Sequence, residues 1–204
     1  IPFPASAYSI APDPIDAQKI YCATGSYVFK STDTGNTWAY ITAGIPFSSG
    51  SYTGITVDPQ NTQILYLSKN GSPYFYKSTT GGAFWMVMNN GLSDPVNGFI
   101  VSPVNHDNLF VASAVDGVYR SLDAGSTWSD FNNAGTNGRT FYGLGMSVTS
   151  GQTTLLVVGE GVWSYTFNTT AIPNKQWQQY NSTKPTNPTY GSLSTATSLV
   201  SRFP

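Results

Sequence analysis

Proton transfer, nucleophilic attack and metal ligation each need particular side chains, and this 204-residue sequence holds few of them. There is one histidine, His106, in a turn-like Asn-His-Asp segment, and one cysteine, Cys22, inside the strand-like run Lys19-Ile-Tyr-Cys-Ala-Thr24. Cys22 reads as a small buried hydrophobe rather than a reactive thiol, which would need an imidazole beside it. A Ser–His–Asp triad would rest wholly on His106, and no Gly-x-Ser-x-Gly elbow accompanies it. Glycosidic bond hydrolysis needs two carboxyl groups facing one another across the bond. The sole glutamate is Glu160, in Val157-Val-Gly-Glu-Gly-Val162. Asp116 stands at the matching place one repeat earlier, so Asp116 and Glu160 are the only catalytic carboxylate pair the sequence offers. The competing reading makes them two solvated turn residues. Gripping a substrate carboxylate takes converging arginines, but Arg120 occupies a repeat position that Lys30 and Lys77 fill elsewhere, leaving Arg139 and Arg202. Phosphate-binding loops, dinucleotide fingerprints and clusters of metal ligands do not occur, so no cofactor and no metal is expected.

The elements that must position these groups repeat. Tyr27-Val-Phe-Lys-Ser-Thr-Asp-Thr-Gly-Asn-Thr-Trp38 recurs as Val118-Tyr-Arg-Ser-Leu-Asp-Ala-Gly-Ser-Thr-Trp128, with a worn copy at Phe75-Tyr-Lys-Ser-Thr-Thr-Gly-Gly-Ala-Phe-Trp85. Trp38, Trp85, Trp128 and Trp177 fall 43 to 49 residues apart, and the fourth unit has lost the turn motif. The upstream halves repeat too: Ile10-Ala-Pro-Asp-Pro14, Thr56-Val-Asp-Pro59 and Ile100-Val-Ser-Pro103 each precede a polar turn and an apolar run. Two independent markers at one spacing identify an internal repeat of about 45 residues. Within the first unit the runs Tyr8–Ala11, Lys19–Thr24, Tyr27–Ser31 and Thr37–Ile41 are short, β-branched or aromatic, and bounded by Gly, Pro, Asn and Asp. Four strands per unit, and almost no helix, are predicted. The units run over about 8–41, 53–88, 97–131 and 142–180.

The turn residues have physical work to do. An aspartate in a hairpin loop accepts backbone N–H groups further along and closes the turn, the role expected of Asp33 and Asp123. Ser31 and Ser121 add a second acceptor, and Gly35 and Gly125 take the positive φ of a tight loop. Trp38 and Trp128 then bury an indole, on the order of 150–250 Å² each. In the second unit Thr80 replaces the aspartate while Ser78, Gly82 and Trp85 remain, which predicts a weaker closure. Calcium would need about six to eight converging oxygens, and each intact turn offers one carboxylate. Asp13 and Asp58, each before proline, read as turn residues as well.

Ser-x-Asp-x-Gly-x-Thr-Trp, intact at Ser31–Trp38 and Ser121–Trp128, is the Asp-box, or BNR repeat. It resembles the turns of sialidases, xyloglucanase-type glycoside hydrolases, sortilin-type receptors and propeller-type photosystem II assembly factors. With the upstream Ile-x-x-Asp-Pro pattern it looks most like the xyloglucanase and assembly-factor branch, over about residues 8–180. The resemblance implies an all-β fold, a β-propeller of four-stranded antiparallel blades, forming a small closed ring or part of a larger one. It implies no reaction, because those families share the turn and not an activity. No position here matches the xyloglucanase catalytic aspartates.

Composition narrows the function. Charged residues are only 9% and the net charge is −1, with six Lys and three Arg scattered singly. That excludes a phosphate-neutralising face, hence nucleic-acid binding. No run of about 18 apolar residues suggests a membrane span. The chain opens on Ile without a leader and reads as processed or cut from something longer. Sequons stand at Asn70, Asn168 and Asn181, and 181–204 forms a Ser/Thr/Pro-rich tail or a strand-completing segment. Aromatics make up 14%, and Tyr27, Tyr52, Tyr74, Tyr142 and Tyr190 are placed to stack on sugars or proteins. The expectation is an extracellular or surface-displayed, non-catalytic module for structure or binding. Its partners would be a glycan or protein ligand, or further copies in a homo-oligomer or filament. The alternative is part of a xyloglucanase-type glycoside hydrolase.

Overall fold

The computed structural model describes residues 6–46, 50–72, 74–132, 135–149, 151–168 and 177–180. The proline-rich head, the tail, Asn181 and Tyr190 lie outside the described residues. Sixteen strands and no helix make up these segments. The first sheet holds β1 (Ala7–Pro12), β2 (Ile20–Thr24), β3 (Val28–Ser31) and β4 (Ala39–Tyr40). The second holds β5 (Tyr52–Val57), β6 (Leu65–Lys69), β7 (Phe75–Ser78) and β8 (Met86–Val87). The third holds β9 (Val96–Val101), β10 (Leu109–Ser113), β11 (Val118–Ser121) and β12 (Ser129–Asp130). The fourth holds β13 (Phe141–Thr149), β14 (Gln152–Gly159), β15 (Gly161–Asn168) and β16 (Gln178–Tyr180). Each sheet is an antiparallel meander in chain order. The first strands β1, β5, β9 and β13 lie beside one another in succession, and the fourth strands pack mainly within their own sheets. The sheets therefore follow each other as blades, first strand innermost.

The apolar core lies between blades, because a strand with one apolar face can bury it only against the next layer. Ala11, Tyr21, Ala23 and Val28 of the first blade meet Ile55, Leu67, Tyr76 and Trp85 of the second. Tyr66 and Phe75 meet Val111, Tyr119 and Trp128 in the next gap, and Phe110, Val118 and Phe131 meet Leu155, Tyr165 and Trp177 in the last.

Polar bonds fasten the same gaps. The indole Nε1 of Trp85 donates to the Ile41 carbonyl at 2.6 Å, Trp128 to Met88 at 2.9 Å and Trp177 to Phe131 at 2.7 Å, each reaching back to the preceding blade. Lys30 Nζ reaches forward to the Gly81 carbonyl at 3.0 Å, and Lys77 Nζ to that of Ala124 at 3.1 Å. Both ammonium groups also sit over an aromatic ring of their own blade, Tyr21 and Tyr66, and burial pushes both lysines below their ordinary pKa. The fourth blade has longer strands than its sequence marks suggest: β13 and β14 run on past the Met146–Val148 and Thr154–Val158 segments.

Trp85 is fully buried, whereas Trp38 is half-buried and bonds the Gly35 carbonyl of its own turn at 2.9 Å. Trp85→Ala is expected to cost about 3–5 kcal/mol, and Trp38→Ala markedly less. Urea unfolding of both variants measures this, and equal losses would contradict the interblade account.

Candidate functional site

At the end of the blades where the first and second strands join, the motif turns form the same net twice. Ser31 Oγ donates to Asp33 Oδ1 at 2.7 Å and accepts the Gly35 N–H at 2.8 Å. Asp33 accepts the Thr37 N–H at 2.8 Å and the Thr37 hydroxyl at 2.6 Å. Ser121, Asp123, Gly125 and Thr127 repeat every one of these bonds. In the second blade Thr80 Oγ1 takes the aspartate's place and accepts the Phe84 N–H at 3.0 Å, while Ser78 Oγ accepts Gly82 at 3.0 Å. The Thr37 hydroxyl and N–H hold the Asp33 carboxyl below the usual carboxylate range. Burial opposes the charge of Asp123, but hydrogen bonds from Thr127 and Ser121 outweigh it and lower its pKa as well.

These turns put two successive residues in left-handed backbone. Gly35 and Gly125 have φ of +89°, and the residues before them are Thr34 (φ 58°) and Ala124 (φ 54°). Glycine at the second position follows from the sequence. A side chain at the first, strained position does not, and only Gly81 of the second blade occupies it without that penalty.

Asp13 and Asp58 cap the neighbouring turns: Asp13 Oδ1 accepts Ile15 and Asp16 N–H, and Asp58 Oδ1 accepts Gln60 and Asn61 N–H. His106 sits in the third blade's turn with Nδ1 3.2 Å from the buried Asp58 Oδ2, so it bridges two blades. Cys22 is buried, and burial raises its thiol pKa.

The carboxylate candidates stand at the opposite end. Asp116 Oδ1 accepts the Gly138 N–H at 2.9 Å, in the loop between β10 and β11. Glu160, between β14 and β15, has Oε2 3.6 Å from Arg139 Nη1 and a side chain 58% exposed. Both thus meet the segment 138–139 that links the third and fourth blades. Arg139 is the residue that sequence reasoning passed over. Its Nε donates to Gly135 O at 2.6 Å and its guanidinium lies 5.3 Å from the Trp163 ring centroid. Arg139 falls outside the repeat positions, which was the available signal. Tyr142, 66% exposed, lies on the adjoining strand β13. Tyr27 is exposed too, but Tyr52, expected to stack on ligands, is 5% exposed beneath Lys69, and burial pushes its phenol up to about 12. Tyr74 packs against the core between the second and third blades. Among the described residues no cluster of three or more metal-ligating side chains occurs.

No protein-family model matches the chain. A xyloglucanase from Paenibacillus sp is 27% identical over a 162-residue alignment that covers 59% of this chain and 16% of that one. The xyloglucanase crystal structure from Xanthomonas campestris superposes with a TM-score of 0.64 at 18% identity, over 85% of this chain and 30% of that one. A structure described as YCF48 bound to D1 peptide superposes at 0.63 with 18% identity, over 91% of this chain and 57% of that one. The chain therefore has the β-propeller fold. It is similar to the propellers of xyloglucanases and of YCF48, while spanning only 16–20% of the length of the curated relatives it matches.

The lowered carboxyls of Asp33 and Asp123 make stability pH-dependent. A folded pKa below the unfolded value of about 3.9 gives stability that is present above that value and lost as pH falls through the folded one. The thermal midpoint is expected to drop below about pH 4, and to drop less in an Asp33→Asn/Asp123→Asn double variant. Equal acid sensitivity in the two proteins would contradict the turn geometry. Ala124→Gly is expected to raise stability by roughly 0.5–1 kcal/mol, read from the urea midpoint.

Proposed function

We propose that the chain is a non-catalytic propeller module, secreted or displayed at a cell surface, that serves in structure or binding and assembles with itself. The observation that carries this reading is the engagement of the carboxylate pair at the end of the blades opposite the motif turns. Asp116 is bound to a backbone N–H, and Glu160 pairs with Arg139 in solvent. A glycosidase needs one carboxyl group kept protonated by its surroundings and a second poised across the scissile bond. Asp116 and Glu160 are instead each tied to the 138–139 link between the third and fourth blades. The turn aspartates Asp33 and Asp123 are spent on loop closure, a structural role.

Binding chemistry is better supplied. Arg139, held over the buried Trp163 ring, offers a donor fork, and Tyr142 on β13 offers an exposed aromatic face, which suit the hydroxyls and apolar faces of a sugar or a protein's surface groups. The low charge and the similarity to glycan-acting enzymes favour an extracellular setting and a glycan ligand. The second reading, part of a xyloglucanase-type glycoside hydrolase, is favoured by the curated relatives.

Reducing-sugar release from xyloglucan and other β-glucans separates the two. No release above background is expected, and Asp116→Ala and Glu160→Ala should leave glycan retention in affinity electrophoresis unchanged. Steady release abolished by either substitution would establish the hydrolase instead.

A further inference from the structure

The third gap between blades differs from the second at the end that carries the motif turns. In each of the first three blades a long turn joins the first strand to the second. It is closed by a bond from the Asp13 N–H to the Lys19 carbonyl, from Asp58 to Ile64 and from Ser102 to Asn108. In the second gap two of these turns meet: His106 Nδ1 lies 3.2 Å from Asp58 Oδ2, and Gln60 Nε2 donates to the Pro103 carbonyl at 3.4 Å. In the fourth blade β13 and β14 stay paired out to Thr149 and Gln152, so no long turn reaches across to residues 102–108. A cavity of about 520 Å³ lies between the two blades there.

The lining of this cavity is polar without being charged. The third blade contributes Ser102, Asn105 and Asn108, the fourth contributes Thr153, and Phe167 and Val148 form an apolar wall. Ser102 stands where the first two blades have Asp13 and Asp58, so the carboxylate of those turns is missing. Its Oγ accepts the Asn105 N–H at 3.3 Å in their place. Asn105 spends Oδ1 on the Asp107 N–H at 3.1 Å, which leaves its amide nitrogen to donate. The half-buried side-chain amide of Asn108 makes no hydrogen bond among the described residues. Thr153 is 1% exposed, and its hydroxyl has no partner among the described residues, although a hydroxyl so buried ordinarily has one.

We propose that this cavity binds a neutral sugar unit, whose hydroxyls exchange hydrogen bonds with Asn105, Asn108 and Thr153 while an apolar face of the ring packs against Phe167 and Val148. The site rests on the reading of the chain as a binding module and lies at the opposite end of the blades from Arg139 and Tyr142. Amides and hydroxyls both donate and accept, as the hydroxyls of a sugar do. The volume falls within the roughly 300–1,000 Å³ of small-molecule sites, which combine apolar walls with a few placed polar groups. A charged ligand would give up its hydration with no opposite charge in the lining to replace it.

The test is proton–nitrogen NMR of the labelled chain, titrated separately with cellotetraose, mannotetraose and tetragalacturonate. At least one of the two neutral sugars is expected to shift the side-chain amides of Asn105 and Asn108 and the backbone N–H groups of Ser102 and Thr153, and tetragalacturonate to leave them in place. Asn108→Leu should weaken the binding about tenfold, the order of one lost hydrogen bond. Thr153→Val should weaken it too without lowering the thermal midpoint, because it removes a hydroxyl that has no partner within the fold; it stands in for Asn108→Leu if circular dichroism shows that variant to be unfolded. Shifts confined to the surroundings of Arg139 and Tyr142 would overturn this site and leave the glycan-binding reading standing. No shift with any of the sugars would overturn both. Equal shifts with tetragalacturonate, or undiminished affinity in the folded variants, would overturn the neutral-sugar assignment.

Discussion

Everything in this fold depends on one blade completing another. A four-stranded sheet with a two-residue outer strand cannot bury its own aromatic rows, and here it does not try. The indoles of Trp85, Trp128 and Trp177 reach back to a carbonyl of the blade before, and Lys30 and Lys77 reach forward to the motif turn of the blade after. Apolar contact is non-directional, but these bonds are not. They fix the spacing and stagger between sheets that the packing alone would leave loose.

The repeat and its four strands were legible because both are local. Strand length, turn residues and the recurring tryptophan all lie within one unit of the chain. The loop-closing bonds of Asp33 and Asp123 could be anticipated for the same reason. What could not be read depends on the neighbour. Nothing in the sequence around Trp85 says that its indole bonds Ile41, or that Lys30 seeks the Gly81 carbonyl 51 residues away. Tyr52 reads as an aromatic in a loop or at a strand end but lies buried under Lys69, its cross-strand partner on β6, a pairing that the local sequence does not announce. The left-handed Thr34 and Ala124 went unforeseen because the penalty for a side chain there is small enough for the rest of the turn to outweigh.

The candidate site was legible only in part. Alignment of the repeats put Asp116 and Glu160 at matching places, but Arg139, which meets Glu160 and covers Trp163, lies on the link between the third and fourth blades, away from the repeated motif residues. Function in propellers is carried by such departures from the repeat, since the repeated residues are occupied in holding blades together. The likeness to xyloglucanases and to YCF48 fits this division, since proteins with different names share the blade architecture.

The central claim, that indole-to-carbonyl bonds across the gaps hold successive blades, is tested most directly by hydrogen exchange at the tryptophan Nε1 positions, followed by NMR. Slow exchange limited by global unfolding is expected for Trp85, Trp128 and Trp177, and much faster exchange for Trp38 in the single chain. Fast exchange at Trp85 and Trp128, at the rate of Trp38, would contradict the account.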